Sequence, residues 1–334
     1  MSDADQQALV YPWLNERWEY LNRLRSEGRL PHALLLNGSG GIGKLAFARS
    51  IGRLLLCDQP VELKPCGRCR GCQLNEAGSH PDYVELRPDE PGKPIKIDQI
   101  RNLNSFIYST AQQGGYRVLV MEPAEAMNIS AANALLKMLE EPGENTLMVL
   151  VTHRLGQVMP TIKSRCQRID CAPPASEMAV AWLATRLEVE HERAEQLLQI
   201  SYGSPLRALD FNEQGLAELR SKVLKGLADI LKQRQSVVEL AQSLSRDETE
   251  LILGWLHDWL NDIARVSVSG DEKLLRHKDV RNMLLAVAKA TSTDKVFALA
   301  DRVQSERVGL MNRQNPNKQL LLESILFGWV GLVR

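Results

Sequence analysis

Residues 33 to 48, "ALLLNGSGGIGKLAFA", constrain the fold more than any other stretch of this chain. An apolar run, Ala33 to Leu36, leads into a glycine-rich loop, and Lys44 then opens "KLAFARSIGRLLL", whose apolar residues recur at helical spacing. Strand, glycine loop and helix in that order make the P-loop arrangement, G-x-x-x-x-G-K-[ST]. In it, backbone N–H groups wrap phosphate, the lysine neutralises the outer charge, and the terminal hydroxyl ligates Mg2+. Gly38, Gly43 and Lys44 occupy the first three fixed positions, but Leu45 stands where the hydroxyl belongs. A leucine cannot coordinate a cation. The N–H cradle at the helix start does not need that side chain, so Gly38, Gly43 and Lys44 remain candidate phosphate ligands of a degenerate loop. Whether they still bind nucleotide depends on whether the loop is open in the fold.

Further along, "YRVLVMEP", "AANALLKMLEEP" and "TLMVLVTH" continue the alternation of short apolar strands with helical patterns. That alternation predicts an α/β domain built on a mostly parallel sheet. The pattern changes near Ala172-Pro173-Pro174, and the remainder reads as all-α. Leu216, Leu219, Val223, Leu227 and Ile230 share one helix face, as do Ile252, Trp255, Leu256, Trp259, Leu260 and Ile263; such stripes are cores or subunit seams. Turn residues in "SYGSPLRALDFNEQG" mark a further break near 212. A chain of 334 residues exceeds what one core usually covers. The expected domains are 1–171 (α/β), 172–212 (small, helical) and 213–334 (helical).

Lys and Arg number 41 against 41 Asp and Glu, and a neutral balance argues against a chain that grips nucleic acid by itself. DNA contact is expected to be shared with partners. The N-terminus has no basic stretch followed by an apolar run, and no segment reaches the length of a membrane span, so a cytoplasmic protein with no membrane contact is expected.

Cys57, Cys66, Cys69 and Cys72 lie in "CDQPVELKPCGRCRGC" as C-x8-C-x2-C-x2-C. Each C-x2-C step brings two thiolates onto one ion around a tight turn, and four thiolates close a tetrahedral structural zinc site. An iron-sulfur spacing is the competitor, but it lacks the usual downstream Cys-Pro. His80 is a possible ligand by type, although four sulfurs already fill the site; fold support is its expected role. Cys166 and Cys171 read as small buried residues.

The strand "RVLVM" ends at Glu122-Pro123. A hydrolysing P-loop enzyme of this kind needs one carboxylate for Mg2+ and then a Glu to polarise water, and proline has no base to offer. Glu125 is expected to be a solvated or capping acid. Two defects in separate parts of one site predict no efficient hydrolysis. The alternatives are an active ATPase in which Ser39 or Glu125 replaces the lost ligands, and a zinc-dependent DNA-binding module. Arg165, in "PTIKSRCQRI", is by its residue type a surface or salt-bridge arginine.

"HALLLNGSGGIGK", the four-cysteine insert, "ANALLKMLEEP" (Ala132 to Pro142) and "TIKSRC" together resemble the bacterial clamp-loader branch of the AAA+ ATPases, across roughly residues 11 to 170. "SYGSPLRAL" and "NPNKQLLLESILFGW" are similar to its later domains more loosely. Motor subunits of that branch keep Thr or Ser after the lysine and an Asp-Glu pair on the acidic strand. Leu45, Glu122 and Pro123 depart from both patterns and point to a non-motor subunit. The resemblance implies an AAA+ P-loop-type α/β domain with a zinc insert, a helical lid, and an all-α collar that packs in a ring of five. It implies a non-hydrolysing stator in the loader that places the DNA polymerase III clamp on primed DNA, within a DNA-directed DNA polymerase holoenzyme. A motor subunit (gamma/tau) and the clamp-opening delta subunit would be its neighbours, with primer-template DNA met through the assembled complex; a gamma/tau-like active ATPase is the alternative. Arg165 then becomes an arginine finger offered in trans to ATP on the adjacent motor subunit. Thr152 and Arg207 stand near the family's two phosphate-sensing positions, with helix packing an equal account of Arg207.

Overall fold

Leu34 and Leu36 pack into one hydrophobic cluster, Ala33 and Leu35 into another, and all four are buried. Successive residues of a strand point to opposite faces, so a strand buried on both sides belongs inside a sheet covered by helices on each face. The computed structural model, which describes residues 10–90, 92–213, 215–312 and 314–333, has that sheet. Its strands are β1 (Ala33–Asn37), β2 (Tyr83–Leu86), β3 (Arg117–Met121), β4 (Thr146–Thr152) and β5 (Gln167–Asp170). They run parallel in the order β2-β3-β4-β1-β5.

Helix α1 (Asn15–Ser26) precedes β1, and between the strands lie α2 (Lys44–Leu55), α3 (Arg70–Glu76), α4 (Ile97–Tyr108), α5 (Ile129–Glu140) and the single turn α6 (Pro160–Lys163). Trp18 of α1 and Phe47 and Ile51 of α2 cover Leu34, Leu36 and Val149 on one face. Ile100 and Leu103 of α4 and Leu135 and Met138 of α5 cover Leu35, Leu119 and Leu150 on the other. Asn128 caps α5 by accepting the Ala131 N–H at 2.8 Å.

After Pro173 no strand occurs among the described residues. The chain continues as α7 (Ser176–Leu187), α8 (His191–Ile200) and α9 (Pro205–Glu213), and divides between Asn212 and Glu213 into two compact units. The second unit holds α10 (Leu216–Leu231), α11 (Val237–Leu244), α12 (Thr249–Ser269), α13 (Arg281–Ala290), α14 (Thr293–Met311) and α15 (Lys318–Gly331). Val223, Leu227 and Ile230 of α10 are buried while Leu216 and Leu219 are half-buried, and the whole stripe from Ile252 to Ile263 on α12 is buried. Asp262 of α12 is buried as well. Burial by itself would raise its carboxyl, but the His277 side chain and backbone, with the Arg276 N–H, hold it below the ordinary carboxylate value and tie the loop after α12 to the helix.

Candidate nucleotide site and metal centre

Gly43 caps the start of α2 with φ +87°, a left-handed conformation that suits glycine. A Cβ added there would lie 2.2 Å from the Tyr11 ring, so that ring rests directly on the glycine loop. Trp13 donates its Nε1–H to the Ile42 carbonyl at 2.9 Å. Tyr11 stacks on Trp13 with centroids 5.2 Å apart, and Trp182 of α7 meets both rings edge-on. The start of α9 closes the loop from another direction. Ser204 donates to the Gly40 carbonyl at 2.7 Å and the Leu206 N–H to the Gly41 carbonyl at 3.0 Å. A Cβ on Gly40 would sit 2.7 Å from the Arg207 guanidinium.

Lys44 completes the closure. Its Nζ donates to the carbonyls of Gly38 and Ser39 at 2.7 and 2.6 Å, and the residue is only 2% exposed. A lysine serving phosphate must turn its ammonium to the ligand; here two of its three N–H donors are spent on its own loop. Burial pulls the ammonium down to about 8, which leaves it charged at neutral pH between those two carbonyls.

The acidic strand ends are also occupied. Glu85 receives a two-pronged Arg49 guanidinium, 2.8 Å on each prong, and Arg87 Nε at 2.7 Å. Arg87 Nη2 reaches on to Glu122 at 3.3 Å, and His153 Nε2 lies 3.5 Å from the other Glu122 oxygen. Burial raises the Glu122 carboxyl and the Arg87 charge opposes the rise. Glu125 accepts the His153 N–H at 3.0 Å and so caps the end of β4, while Thr152, fully buried, accepts the Arg154 N–H at 3.2 Å. Leu45 packs against the hydrophobic cluster of the α1–α2 face. The Mg2+ that a P-loop fold implies does not fit these residues: one ligand position is apolar, and the carboxylate is already paired with a guanidinium. Glu85, Arg87, Tyr11 and Ser204 escape the sequence reading, for only their neighbours in space give them meaning.

His153 supplies a pH test. Burial, and next the nearby Lys44 charge, lower its imidazole to about 4 from an ordinary 6.5. The unfolded chain therefore takes up a proton that the folded chain refuses as pH falls from 6.5 toward 4, and stability falls over that window. The loss should be on the order of 2 kcal/mol once partial exposure is allowed for. Urea melts at pH 7 and pH ~5 should show a steeper decline for the natural chain than for His153→Gln; parallel declines would refute it.

Arg165 lies two residues beyond the end of α6, after its cap Ser164. Its Nε and Nη2 both contact one oxygen of Glu140, at 2.9 and 2.6 Å, and Nη1 donates to the Thr161 carbonyl at 3.0 Å. Glu140 is the last residue of α5, where the helix presents its own negative end. Pairing with Arg165 offsets that repulsion, so within this chain the arginine already has a structural partner.

The four cysteines form a separate centre. Their Sγ atoms all lie within 4.8 Å of one another, with Cys57 to Cys69 at 3.9 Å and Cys66 to Cys72 at 4.0 Å. A tetrahedron with metal–sulfur bonds of about 2.3 Å has sulfurs about 3.8 Å apart, which matches. The Cys66, Cys69 and Cys72 N–H groups donate to the sulfurs of Cys57, Cys66 and Cys69 at 3.2, 3.3 and 3.4 Å. Backbone N–H groups of Arg68 and Cys69 bring the Cys66 thiol down to about 6, while burial pushes the Cys57 and Cys72 thiols up. Gly71 permits the arrangement: a Cβ there would lie 2.0 Å from the Leu56 carbonyl, so α3 approaches the end of α2 and Cys57 meets the other three. His80 lies outside the ligand set and accepts the Asp82 N–H at 3.1 Å through Nδ1. The cluster can hold one metal ion.

The family described as DNA polymerase III, delta subunit, matches residues 13–175, and its C-terminal counterpart matches 214–331. The DNA polymerase III subunit delta' of Pseudomonas aeruginosa is 41% identical over 97% of this chain and 98% of that protein. This chain belongs to the DNA polymerase III subunit delta' family. The Escherichia coli K12 member of the delta' family is 32% identical, covering 95% of this chain and 94% of that one. Among solved structures, a DNA polymerase III gamma subunit-related protein of Thermotoga maritima aligns with TM-score 0.46 at 22% identity, over 95% of this chain and 99% of that one. The parallel α/β core of this delta' chain is AAA+-like, and no helix among the described residues is long and apolar enough to cross a membrane.

Proposed function

We propose that this chain is the non-hydrolysing stator of a DNA polymerase III clamp loader, supporting ATP-dependent loading of the clamp onto primed DNA. The observation that carries this reading is the closed glycine loop, with Lys44 turned onto Gly38 and Ser39 and Ser204 fastened to Gly40. The pairing of Glu122 with Arg87 supports it from the metal side. In this reading residues 1–171 are the AAA+ domain with a zinc module at 57–72, 172–212 the lid, and 213–334 the collar. Exposed Phe297, Leu320 and Phe327 on α14 and α15 suit a collar that packs against other subunits. Arg165 is the finger offered in trans to ATP on the adjacent gamma/tau subunit, the delta subunit is the other neighbour, and primer-template DNA is met through the assembled ring in the cytoplasm.

Nucleotide binding tests the reading. Calorimetric titration of the zinc-loaded chain with an ATP analogue should show binding no tighter than about 1 mM with or without Mg2+, and no phosphate release. Leu45→Thr restores one ligand only, and should leave both results unchanged. Micromolar Mg2+-dependent binding with hydrolysis that Lys44→Ala abolishes would establish the active-ATPase alternative instead.

A further inference from the structure

We propose that Arg87 is a built-in counter-ion that stands in for a divalent cation at the strand ends and keeps the site free of metal. The inference deepens the stator reading and rests on it. Leu86 of β2 and Met121 of β3 are register partners, and the Glu122 N–H donates to the Leu86 carbonyl at 3.1 Å. Glu85 pairs with Val120 in the same register, so Glu85 and Glu122, two residues beyond Val120, lie on one face of adjacent strands. Two half-buried carboxylates so placed repel each other unless a positive charge lies between them. One guanidinium does, with Nε 2.7 Å from Glu85 and Nη2 3.3 Å from Glu122.

The other kind of charge that can lie between two carboxylates is a divalent cation such as Mg2+, which takes oxygen ligands at about 2.0–2.1 Å. Guanidinium differs in ways that matter. It is charged at every accessible pH, needs no hydration shell, and is tethered, so it faces the carboxylates at a concentration no free ion matches. To admit a metal, Glu122 would have to give up Arg87 and gain no hydroxyl ligand from position 45 in exchange. Arg49 holds Glu85 from α2 and leaves Arg87 as the group that spans both acids.

The test uses the full zinc-loaded chain and Mn2+ as probe, with free Mn2+ followed by its paramagnetic resonance signal. The natural chain should take up none at about 1 mM, whereas Arg87→Met, which keeps most of the side-chain stem, should take up roughly one ion per chain. Adding Glu122→Gln to that variant should abolish the uptake, and Arg87→Lys, which keeps the charge, should stay metal-free. Arg87→Met should also melt lower than the natural chain and regain part of the loss in Mn2+, while the natural chain does not respond. Arg87→Gln retains a hydrogen-bond donor and serves if the methionine variant does not fold, with the same uptake expected. Uptake by the natural chain that Glu122→Gln removes, or no uptake by a folded Arg87→Met or Arg87→Gln, would overturn the proposal. ATP turnover by the unsubstituted chain would defeat the stator reading, whereas a metal-free Arg87 variant defeats only the role of Arg87.

Discussion

Replacing Arg165 with alanine is expected to slow ATP turnover at the adjoining motor site of a reconstituted loader by about 10³-fold or more, the scale on which arginine fingers act. The ring itself should still assemble. In this chain the guanidinium rests on Glu140, with both groups partly exposed at 35% and 51%. An exposed pair of this kind contributes only about 0.2–1 kcal/mol, so exchanging Glu140 for a phosphate costs little. The retained planar fork makes lysine a poor substitute, and Arg165→Lys should recover only a small part of the rate. Steady-state turnover together with gel-filtration composition separates the two accounts. A ring that assembles and turns over at the natural rate would leave Arg165 a salt bridge to Glu140 and nothing more.

The second large effect concerns zinc. Metal analysis of the purified chain should find about one zinc ion, absent after Cys69→Ser, because Cys69 both belongs to the four-sulfur cluster and caps α3 by accepting the Cys72 N–H. Structural zinc contributes roughly 10–16 kcal/mol to folding in isolated finger peptides. Here α3 also packs on α2 through Gly71, so the loss should be smaller, several kcal/mol, and confined at first to residues 57–76. Limited proteolysis should cut the zinc-free chain in that segment, while the parallel sheet still melts cooperatively. Full zinc-free resistance to protease would refute a structural metal.

Much of this was legible in the chain, and the limits follow from where partners sit. β1, β3 and β4 announce themselves as unbroken apolar runs because they are interior strands; β2 and β5 are four-residue edges with half-exposed positions and give no comparable signal. The cysteine centre was readable because Cys66, Cys69 and Cys72 are close neighbours in sequence. The defect at Leu45 and Pro123 needed only the motif. The closure of the loop by Tyr11, Ser204 and Arg207, and the holding of Arg165 by Glu140, depend on residues far away along the chain. No local pattern encodes such contacts.

The Tyr11–Trp13–Trp182 trio has an optical consequence. Two indoles and a phenol with ring centroids 5.2 to 5.7 Å apart couple their near-ultraviolet transitions, so the chain carries a built-in reporter at the joint between α7 and the glycine loop. Trp182→Phe should weaken that coupled dichroism and leave the stacked Tyr11–Trp13 contribution, and a change in the Trp182 part on adding other subunits would follow α7 without any attached dye.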